Sequence, residues 1–382
     1  MNWQSIIQAL NKKRRPTLQN YIKGIAVKPI YIYGAGAFGR ELYAVFQRHG
    51  VQVQGFLDKN AERCVPAAVP IYAPEKLEDR EAVNIVLGIV LNLTVRRKIE
   101  QYLHDMGYAN VIDGQSVRAH YVYALSPEGE DNPAAYFGKN LTEIERASVL
   151  LTDAESRATY EQNVTAHLCR DYTHCSQTPQ EHQYFVEDIP FGKGYSRFID
   201  CGAYIGDTLS ELIRLKGETK AVAAFEPNRD NFAGLSANYD THLHEYIEQG
   251  IFFPCGVAGE VALRKFAPAA GSSSISEQGE AIVQCVNLDA VLKNFAPTFI
   301  KMDIEGAEYD ALQGAREMIT QYKPDLAVSV YHIIDDFWRI PLLIDSWNLG
   351  YKFYLRTHSS CCMETVLYAA CSEGESNNVG ND

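Results

Sequence analysis

Apolar runs alternate with helix-length amphipathic segments over most of this chain, and the alternation occurs twice. In the first part it predicts helices at 37–49 and 92–106 and strands at 28–33, 51–57, 83–90 and 110–112. In the second part it predicts strands at 197–201, 220–225, 251–257, 282–286, 298–302, 325–331, 351–356 and 365–369. Such alternation is typical of doubly wound α/β sheets that are mainly parallel. No helix-length segment separates the last two runs, which therefore predict a terminal antiparallel hairpin.

The length of 382 residues favours more than one domain, because single cores stop growing at about 250–300 residues. Between the two alternating parts the pattern lapses into mostly helical residues. We predict a smaller Rossmann-like domain at 1–113, a helical connector or lid at 114–195, a second α/β domain at 196–370 and a disordered polar tail at 371–382.

Composition restricts the partners of the protein. The net charge is −13, with 35 Lys and Arg against 48 Asp and Glu, which argues against nucleic-acid binding driven by phosphate contacts and favours a small-molecule or glycan acceptor. Nine cysteines, several of them inside apolar runs, suit a reducing and hence cytoplasmic environment. We expect no membrane insertion, since no apolar stretch of bilayer length stands out. The sequence is compatible with a homo-oligomer.

The most informative motif is the run 198–208, FIDCGAYIGDT, in which a strand carrying Asp200 leads into a glycine turn and a helix. Small residues at Gly202 and Gly206 let a ligand approach the backbone at the carboxyl end of the strand. A second acid, Glu226, follows the next predicted strand 26 residues after Asp200 (226 − 200), where it can bind ribose hydroxyls. Dinucleotide-binding proteins have a tighter turn and an acid about 20 residues on. The looser turn here is typical of S-adenosylmethionine enzymes.

A second motif, FIKMDIEGAE at 299–308, brings three acids, Asp303, Glu305 and Glu308, to the end of another predicted strand. Carboxylates gathered so closely repel one another, which favours a functional role. A structural alternative is that they are helix-start acids stabilised by the helix dipole. These carboxylates could hold Mg²⁺, but no dedicated ligand spacing is visible, so we predict no metal site.

Together with SVYH and ETVLYA, these motifs resemble the FkbM family of S-adenosylmethionine-dependent methyltransferases over residues 183–370. The resemblance implies a class I methyltransferase fold and methyl transfer to a hydroxyl of a sugar, a glycan, a polyketide or another secondary metabolite. It thereby suggests a place in polysaccharide or secondary-metabolite biosynthesis. The cofactor-binding residues assigned from the matching motifs are Asp200, Gly202, Ala203, Gly206, Asp207, Thr208, Glu226, Asn228 and Asp303.

An alcohol acceptor must lose a proton, so we expect a base near the strand ends. His332 follows the predicted strand at 325–331 and is our candidate base, with Asp303 at the reacting end. The residues predicted to contact the acceptor are Tyr184, Glu305, Asp335, Arg356 and His358. A structural histidine and solvated aspartates remain alternatives.

The amino-terminal part has its own glycine turn, Gly34-x-Gly36-x-x-Gly39, with Asp58 ending the next strand 24 residues after the first glycine (58 − 34). The runs IYGAGAFGREL and VQGFLDKN resemble the nucleotide-sugar-binding domain of bacterial sugar acetyltransferases. That resemblance implies a diphosphate held at a helix terminus. Three alternatives stay open: a nicotinamide cofactor and hence an NAD(P)-dependent oxidoreductase, an inert structural domain, and a non-catalytic binding protein on a methyltransferase fold.

Overall fold

The computed structural model describes residues 3–4, 7, 17–89, 93–123, 132–172, 175, 182–267, 274–275 and 281–371. The chain divides into two compact units. The first comprises 1–141, 161–181 and 357–364, and the second 142–160, 182–356 and 365–382. Residues predicted as a connector at 114–195 are thus shared between the units. The predicted tail at 372–382 lies outside the described residues, and Cys371 is the last residue of a strand.

The first unit contains a five-stranded sheet in which all neighbouring strands are parallel. Its order is β3-β2-β1-β4-β5: the chain adds β2 and β3 on one side of β1 and then β4 and β5 on the other side. Both faces of the sheet are buried, with Ile32 and Phe56 in one apolar cluster and Tyr33 and Leu57 in another. The strands are β1 (Ile30–Tyr33), β2 (Val53–Leu57), β3 (Ile71–Tyr72), β4 (Asn84–Leu87) and β5 (Asn110–Asp113).

Helices of this unit pack against the sheet, and two of their caps follow from the sequence. Thr17 begins α1 by accepting a hydrogen bond from the backbone N–H of Asn20 at 3.2 Å. Asp113 caps α4 in the same way through the N–H of Gln115 at 3.0 Å. The helices are α1 (Leu18–Ile25), α2 (Ala37–Arg48), α3 (Leu93–Asp105), α4 (Gly114–Val122) and α5 (Pro133–Lys139).

The second unit is built on a seven-stranded sheet of order β15-β16-β14-β13-β6-β7-β8. Its strands are β6 (Arg197–Cys201), β7 (Thr219–Phe225), β8 (Ile247–Phe253), β13 (Phe299–Met302), β14 (Asp325–Ser329), β15 (Tyr351–Thr357) and β16 (Thr365–Cys371). The pairs from β8 to β14 are parallel, whereas β16 is antiparallel to β14. This confirms the predicted class I methyltransferase fold, including its antiparallel final strand.

One expectation about this unit was wrong. The sequence predicted a single strand at 251–257 and placed 282–286 in the main sheet. Instead, strands between residues 256 and 286 form a separate four-stranded sheet of order β11-β10-β12-β9. The antiparallel strands β10 and β12 are its centre, and the short strands β11 and β9 pair with their outer edges. Its strands are β9 (Gly256–Val257), β10 (Ala262–Ala267), β11 (Ser274–Ile275) and β12 (Ala281–Val286).

The helices of the second unit begin with α6 and α7, and α7 continues into the first unit. The cap of α7 is Asp153, which accepts a hydrogen bond from the N–H of Ser156 at 2.6 Å. The helices are α6 (Leu141–Leu150), α7 (Ala154–Cys169), α8 (Asp207–Lys216), α9 (Arg229–Asn238), α10 (Leu288–Val291), α11 (Glu308–Gln313), α12 (Arg316–Tyr322) and α13 (Asp336–Ser346). Among the described residues, no helix combines the length and apolar character needed to cross a bilayer.

Candidate functional site

Three adjacent strands of the second unit end at one level. In the register of the sheet, Met302 of β13 and Phe225 of β7 both lie opposite Cys201 of β6. The residue that follows each strand therefore reaches the same edge: Gly202, Glu226 and Asp303. Carboxyl ends of parallel strands are where open α/β sheets bind their ligands.

The turn after β6 requires glycine. Gly202 has φ of +86°, and a Cβ added there would lie 1.9 Å from the carbonyl oxygen of Asp303. Gly206 has φ of +81° and precedes α8. Glycine is therefore needed at position 202, because the turn after β6 passes very close to the backbone of Asp303.

Glu226 ties the end of β7 to this turn. Its Oε2 accepts a hydrogen bond from the N–H of Tyr204 at 2.9 Å, and its Oε1 accepts one from the N–H of Asn228 at 2.7 Å. Burial raises the pKa of Glu226, and these backbone hydrogen bonds partly offset that effect. The side chain that sequence reasoning assigned to ribose also holds the turn in shape.

Asp200 lies inside the sheet rather than at its surface. It is fully buried and forms an ion pair with Lys301 Nζ at 2.8 Å, and Lys301 also donates to the carbonyl of Gly202 at 2.6 Å. Burial raises the pKa of Asp200 to about 6, against the opposing effect of Lys301. Asp200 therefore supports the turn from beneath, and its predicted contact with the cofactor stays a prediction.

Sequence reasoning did not single out Lys301. The available signal was a charged residue within the apolar run FIKM, at a strand position with no solvent to receive it. A buried lysine in a central strand needs a buried partner. In the sheet register Lys301 is paired directly with Asp200.

A second group of ionisable side chains surrounds His332 at the same edge. Its Nδ1 lies 2.8 Å from Glu308 Oε1, and its Nε2 lies 3.5 Å from Asp303 Oδ1 and 3.4 Å from Glu305 Oε2. Tyr184 donates a hydrogen bond to the other oxygen of Asp303, Oδ2, at 2.8 Å. The predicted residues Tyr184, Asp303, Glu305 and His332 are thus brought together.

The charges of this group set its protonation. Burial by itself would lower the pKa of His332, but Glu308, Asp303 and Glu305 together raise it to about 10. Burial would likewise raise the pKa of Asp303, which the charges of His332 and Lys301 lower overall. The imidazole is therefore protonated near neutral pH, and this charge state argues against the predicted role of His332 as a base.

The other predicted cofactor residues are either buried or located at the start of a helix. Ala203 is fully buried and Thr208 is nearly so, while Asp207 is exposed in the first turn of α8. Asn228 caps α9 by accepting hydrogen bonds from the N–H groups of the second and third residues after it. Any contact of these residues with a ligand stays a prediction.

Two residues predicted to hold the acceptor have other surroundings. Arg356 is buried and pairs with Asp153 at 2.8 Å and Asp188 at 2.7 Å, so its guanidinium already has carboxylate partners. His358 belongs to the first unit, where its N–H donates to the carbonyl of Glu364 at 3.0 Å. A contact of Arg356 or His358 with the acceptor stays a prediction.

Asp335, the remaining predicted acceptor residue, is half-buried and immediately precedes α13. Its neighbour Asp336 is fully buried and pairs with Arg339 at 2.7 Å. A role of Asp335 toward the acceptor stays a prediction.

The glycine turn of the first unit has a similar construction. Gly34 has φ of +104°, and a Cβ on Gly39 would lie 2.0 Å from the carbonyl oxygen of Gly34. A Cβ on Gly36 would meet no atom within 4 Å. Asp58 accepts hydrogen bonds from the N–H of Ala35 at 3.1 Å and from the N–H two residues after itself at 2.8 Å.

The chain resembles known proteins in sequence and in fold. Residues 200–353 match the family model of the methyltransferase FkbM domain. The crystal structure of the methyltransferase FkbM from Methylobacillus flagellatus KT aligns with a TM-score of 0.63 and 24% identity, over 96% of this chain and 97% of that one.

Two further structures align at TM-scores too low to support an argument. Precorrin-6y C5,15-methyltransferase from Geobacter metallireducens GS-15 gives 0.27, with 10% identity over 45% of this chain and 77% of that one. The N-terminal domain of human METTL16 in complex with SAH gives 0.26, with 11% identity over 63% of this chain and 94% of that one. The chain matches none of the curated proteins with which it was compared. Residues 200–353 are therefore similar to the methyltransferase FkbM domain, and the chain shares the fold of an FkbM methyltransferase.

Proposed function

We propose that the second unit transfers a methyl group from S-adenosylmethionine to a hydroxyl of a sugar, a glycan or a related secondary metabolite. The observation that supports this most is the alignment of Gly202, Glu226 and Asp303 at one sheet edge. The match of residues 200–353 to the FkbM methyltransferase domain supports the same reaction class.

The residues at this edge fit S-adenosylmethionine. Tyr204 and Ile205 expose 40% and 42% of their surface at the turn, which offers an apolar face to a purine or a thioether. Glu226 uses three of its roughly four hydrogen-bond positions within the protein and can accept one from ribose. When bound, S-adenosylmethionine supplies a methyl group activated by a positive sulfonium.

The side chains near Asp303 are placed to interact with the sulfonium and with the acceptor. Asp303 is oriented by Tyr184, and Glu305 is partly exposed beside it with 30% of its side chain accessible. These carboxylates favour a cationic reacting end and can accept hydrogen bonds from acceptor hydroxyls. Catalysis of this kind depends mainly on positioning, because the methyl donor is already reactive.

Isothermal titration of S-adenosylhomocysteine into the full-length protein tests the cofactor. We expect one site with micromolar affinity, and we expect Glu226→Gln to weaken binding at least tenfold. Asp58→Asn, which changes the corresponding acid of the first unit, serves as the matched control and leaves the affinity unchanged. An absence of binding at millimolar cofactor would contradict the proposal. Methyl transfer is then assayed against hydroxyl acceptors, from free sugars to nucleotide-linked sugars.

We also infer that the first unit binds a nucleotide-linked sugar at the turn Gly34–Gly39. The open space at Gly36 and the position of the turn beside β1, where the strand order reverses, support a phosphate-bearing ligand. Titration with UDP-linked sugars and, separately, with NADH distinguishes the two predicted ligand classes. Enhanced nicotinamide fluorescence with no binding of any nucleotide sugar would favour the oxidoreductase alternative instead.

A further inference from the structure

Two cysteine thiols of the first unit lie against each other although they are far apart in the sequence. Cys175 Sγ lies 3.3 Å from Cys362 Sγ, and the two residues are 187 positions apart. Each of the nine cysteines lies in the part of the chain that the structure describes, and each is a thiol. Because a disulfide bond is about 2.05 Å long, these two sulfur atoms need only a small movement to form one.

The backbone around Cys362 has a conformation that few residues adopt. Cys361, Cys362 and Glu364 have φ values of +59°, +64° and +54°. Such values are strained for residues other than glycine and persist only where the surrounding structure holds them. Cys361, Cys362 and Met363 are all buried, so packing supplies this support. The position of the Cys362 sulfur is therefore set by a packed backbone and not by a mobile surface side chain.

The segment 357–364, which carries Cys362, is a closed loop within the first unit. The N–H of His358 donates to the carbonyl of Glu364 at 3.0 Å, and the N–H of Met363 donates to the carbonyl of Ser360 at 3.1 Å. Tyr123, which ends α4, donates to Met363 Sδ at 3.2 Å. A bond from this loop to Cys175 would join it covalently to the chain that follows α7.

The two thiols of the pair differ in their access to solvent. Cys175 is half-buried, whereas Cys362 has no exposed surface. Burial raises the pKa of the Cys362 thiol, because a thiolate is poorly solvated there. An oxidant in solution therefore meets Cys175 first, and Cys362 is placed to react with the oxidised sulfur.

We propose that Cys175 and Cys362 form a reversible disulfide bond when the protein meets a hydroperoxide. One oxygen of the hydroperoxide is transferred to the sulfur of Cys175, which becomes a sulfenic acid, and water or an alcohol leaves. The sulfur of Cys362 then attacks the sulfur of Cys175, and its proton leaves with the hydroxyl group as water. Two thiols are thereby oxidised and one hydroperoxide is reduced. A dithiol restores both thiols by exchange.

The bond stabilises the folded chain, and this effect does not rest on the proposed methyl transfer. A cross-link between residues 187 positions apart removes more disorder from the unfolded chain than one that closes a short loop. In the reducing environment that the composition predicts, such bonds are transient and serve to sense oxidants. The pair therefore suits a redox-sensitive modification and not a permanent structural bond.

Mass spectrometry of unreduced peptides from full-length protein treated with hydrogen peroxide tests the pair. We expect one cross-linked product that joins Cys175 to Cys362, is lost with dithiothreitol and is absent in Cys175→Ser and in Cys362→Ser. Cys361→Ser should keep the product, which assigns the bond to Cys362. Cys64→Ser is the matched control, because Cys64 is also half-buried in the first unit and should leave the product unchanged. Oxidation should raise the unfolding temperature of the wild type by roughly 5 °C, and of neither cysteine-pair variant.

Three outcomes would overturn the proposal. Both thiols of the wild type could remain unmodified in a molar excess of hydrogen peroxide. Cys175 could be oxidised to a sulfinic acid while Cys362 stays a thiol, or the cross-link could persist in Cys362→Ser. Circular dichroism confirms that each variant is folded, and an alanine replaces the serine in any variant that is not. Titration of S-adenosylhomocysteine into the reduced protein decides the proposed function separately, whichever of these outcomes is found.

Discussion

The two units of this protein share one structural arrangement, a glycine turn held by an acidic side chain at the end of a strand. In each, a glycine turn follows a central parallel strand, and the acid after the next strand accepts a hydrogen bond from a backbone N–H of that turn. Asp58 binds the N–H of Ala35 in the first unit, and Glu226 binds the N–H of Tyr204 in the second. The acid therefore stabilises the turn in both units before any ligand is considered.

The units differ at the strand on the other side of the turn. After β4, Gly88 and Ile89 are the described residues, and neither carries an ionisable group. After β13 come Asp303 and Glu305, with Lys301 inside the strand itself. A glycine turn with its acid is thus common to both units, whereas among the described residues only the strand beside the second turn places ionisable side chains next to it.

The largest expected effect comes from the buried ion pair beneath the second turn. Lys301→Met leaves Asp200 buried and unpaired, so the free energy of unfolding of the second unit should fall by about 3–5 kcal/mol. Urea denaturation followed by the fluorescence of buried Trp338 measures this change. Adding Asp200→Leu to Lys301→Met should restore much of the loss. A loss below 1 kcal/mol in the single variant would show that the pair does not support the turn.

The glycines of the two turns should differ in their tolerance of a side chain. Gly202→Ala forces a Cβ into contact with the carbonyl of Asp303 at a positive φ, at a cost of about 2–4 kcal/mol. Gly36→Ala meets open space and should cost less than about 1 kcal/mol. Thermal denaturation of both variants gives the comparison, and equal losses would remove the distinction between the turns.

The charged cluster beside the second turn should make stability depend on pH. The pKa of His332 is raised to about 10 in the folded protein, so its stabilising contribution is complete below its unfolded value of 6.5 and is lost as pH rises through about 10. The free energy of unfolding should therefore fall by about 1 kcal/mol per pH unit between pH 7 and 9. His332→Gln, as the reference, should lack this slope; a parallel slope in the variant would assign it to other groups.

The smallest effect compares the two acids directly. Glu226→Gln and Asp58→Asn each weaken hydrogen bonds to a turn, and each should lower stability by about 0.5–1.5 kcal/mol. Denaturation curves measure these losses. Similar losses in stability would confirm that the acid stabilises the turn in both units. A loss in only one unit would show that the resemblance between the turns is superficial.

The mainly parallel sheet and the grouping of Gly202, Glu226 and Asp303 at one of its edges could be predicted from the sequence alone. Apolar strands, glycine turns and helix-length gaps leave few topologies, and carboxyl ends of parallel strands must share an edge. Residues at those ends are therefore neighbours whatever their separation along the chain. The small second sheet escaped prediction, because its short strands pair through a hairpin that has no distinct periodicity.

What each side chain does at the edge was decided only by tertiary structure. Asp200 and Arg356 have the residue types of ligand-binding groups, but both are buried against partners brought from distant segments. His332 follows a strand as expected of a base, yet the carboxylates around it hold a proton on its ring. Local sequence specifies backbone conformation through short-range sterics and hydrogen bonds, whereas burial, charge pairing and pKa depend on neighbours that only the folded chain assembles.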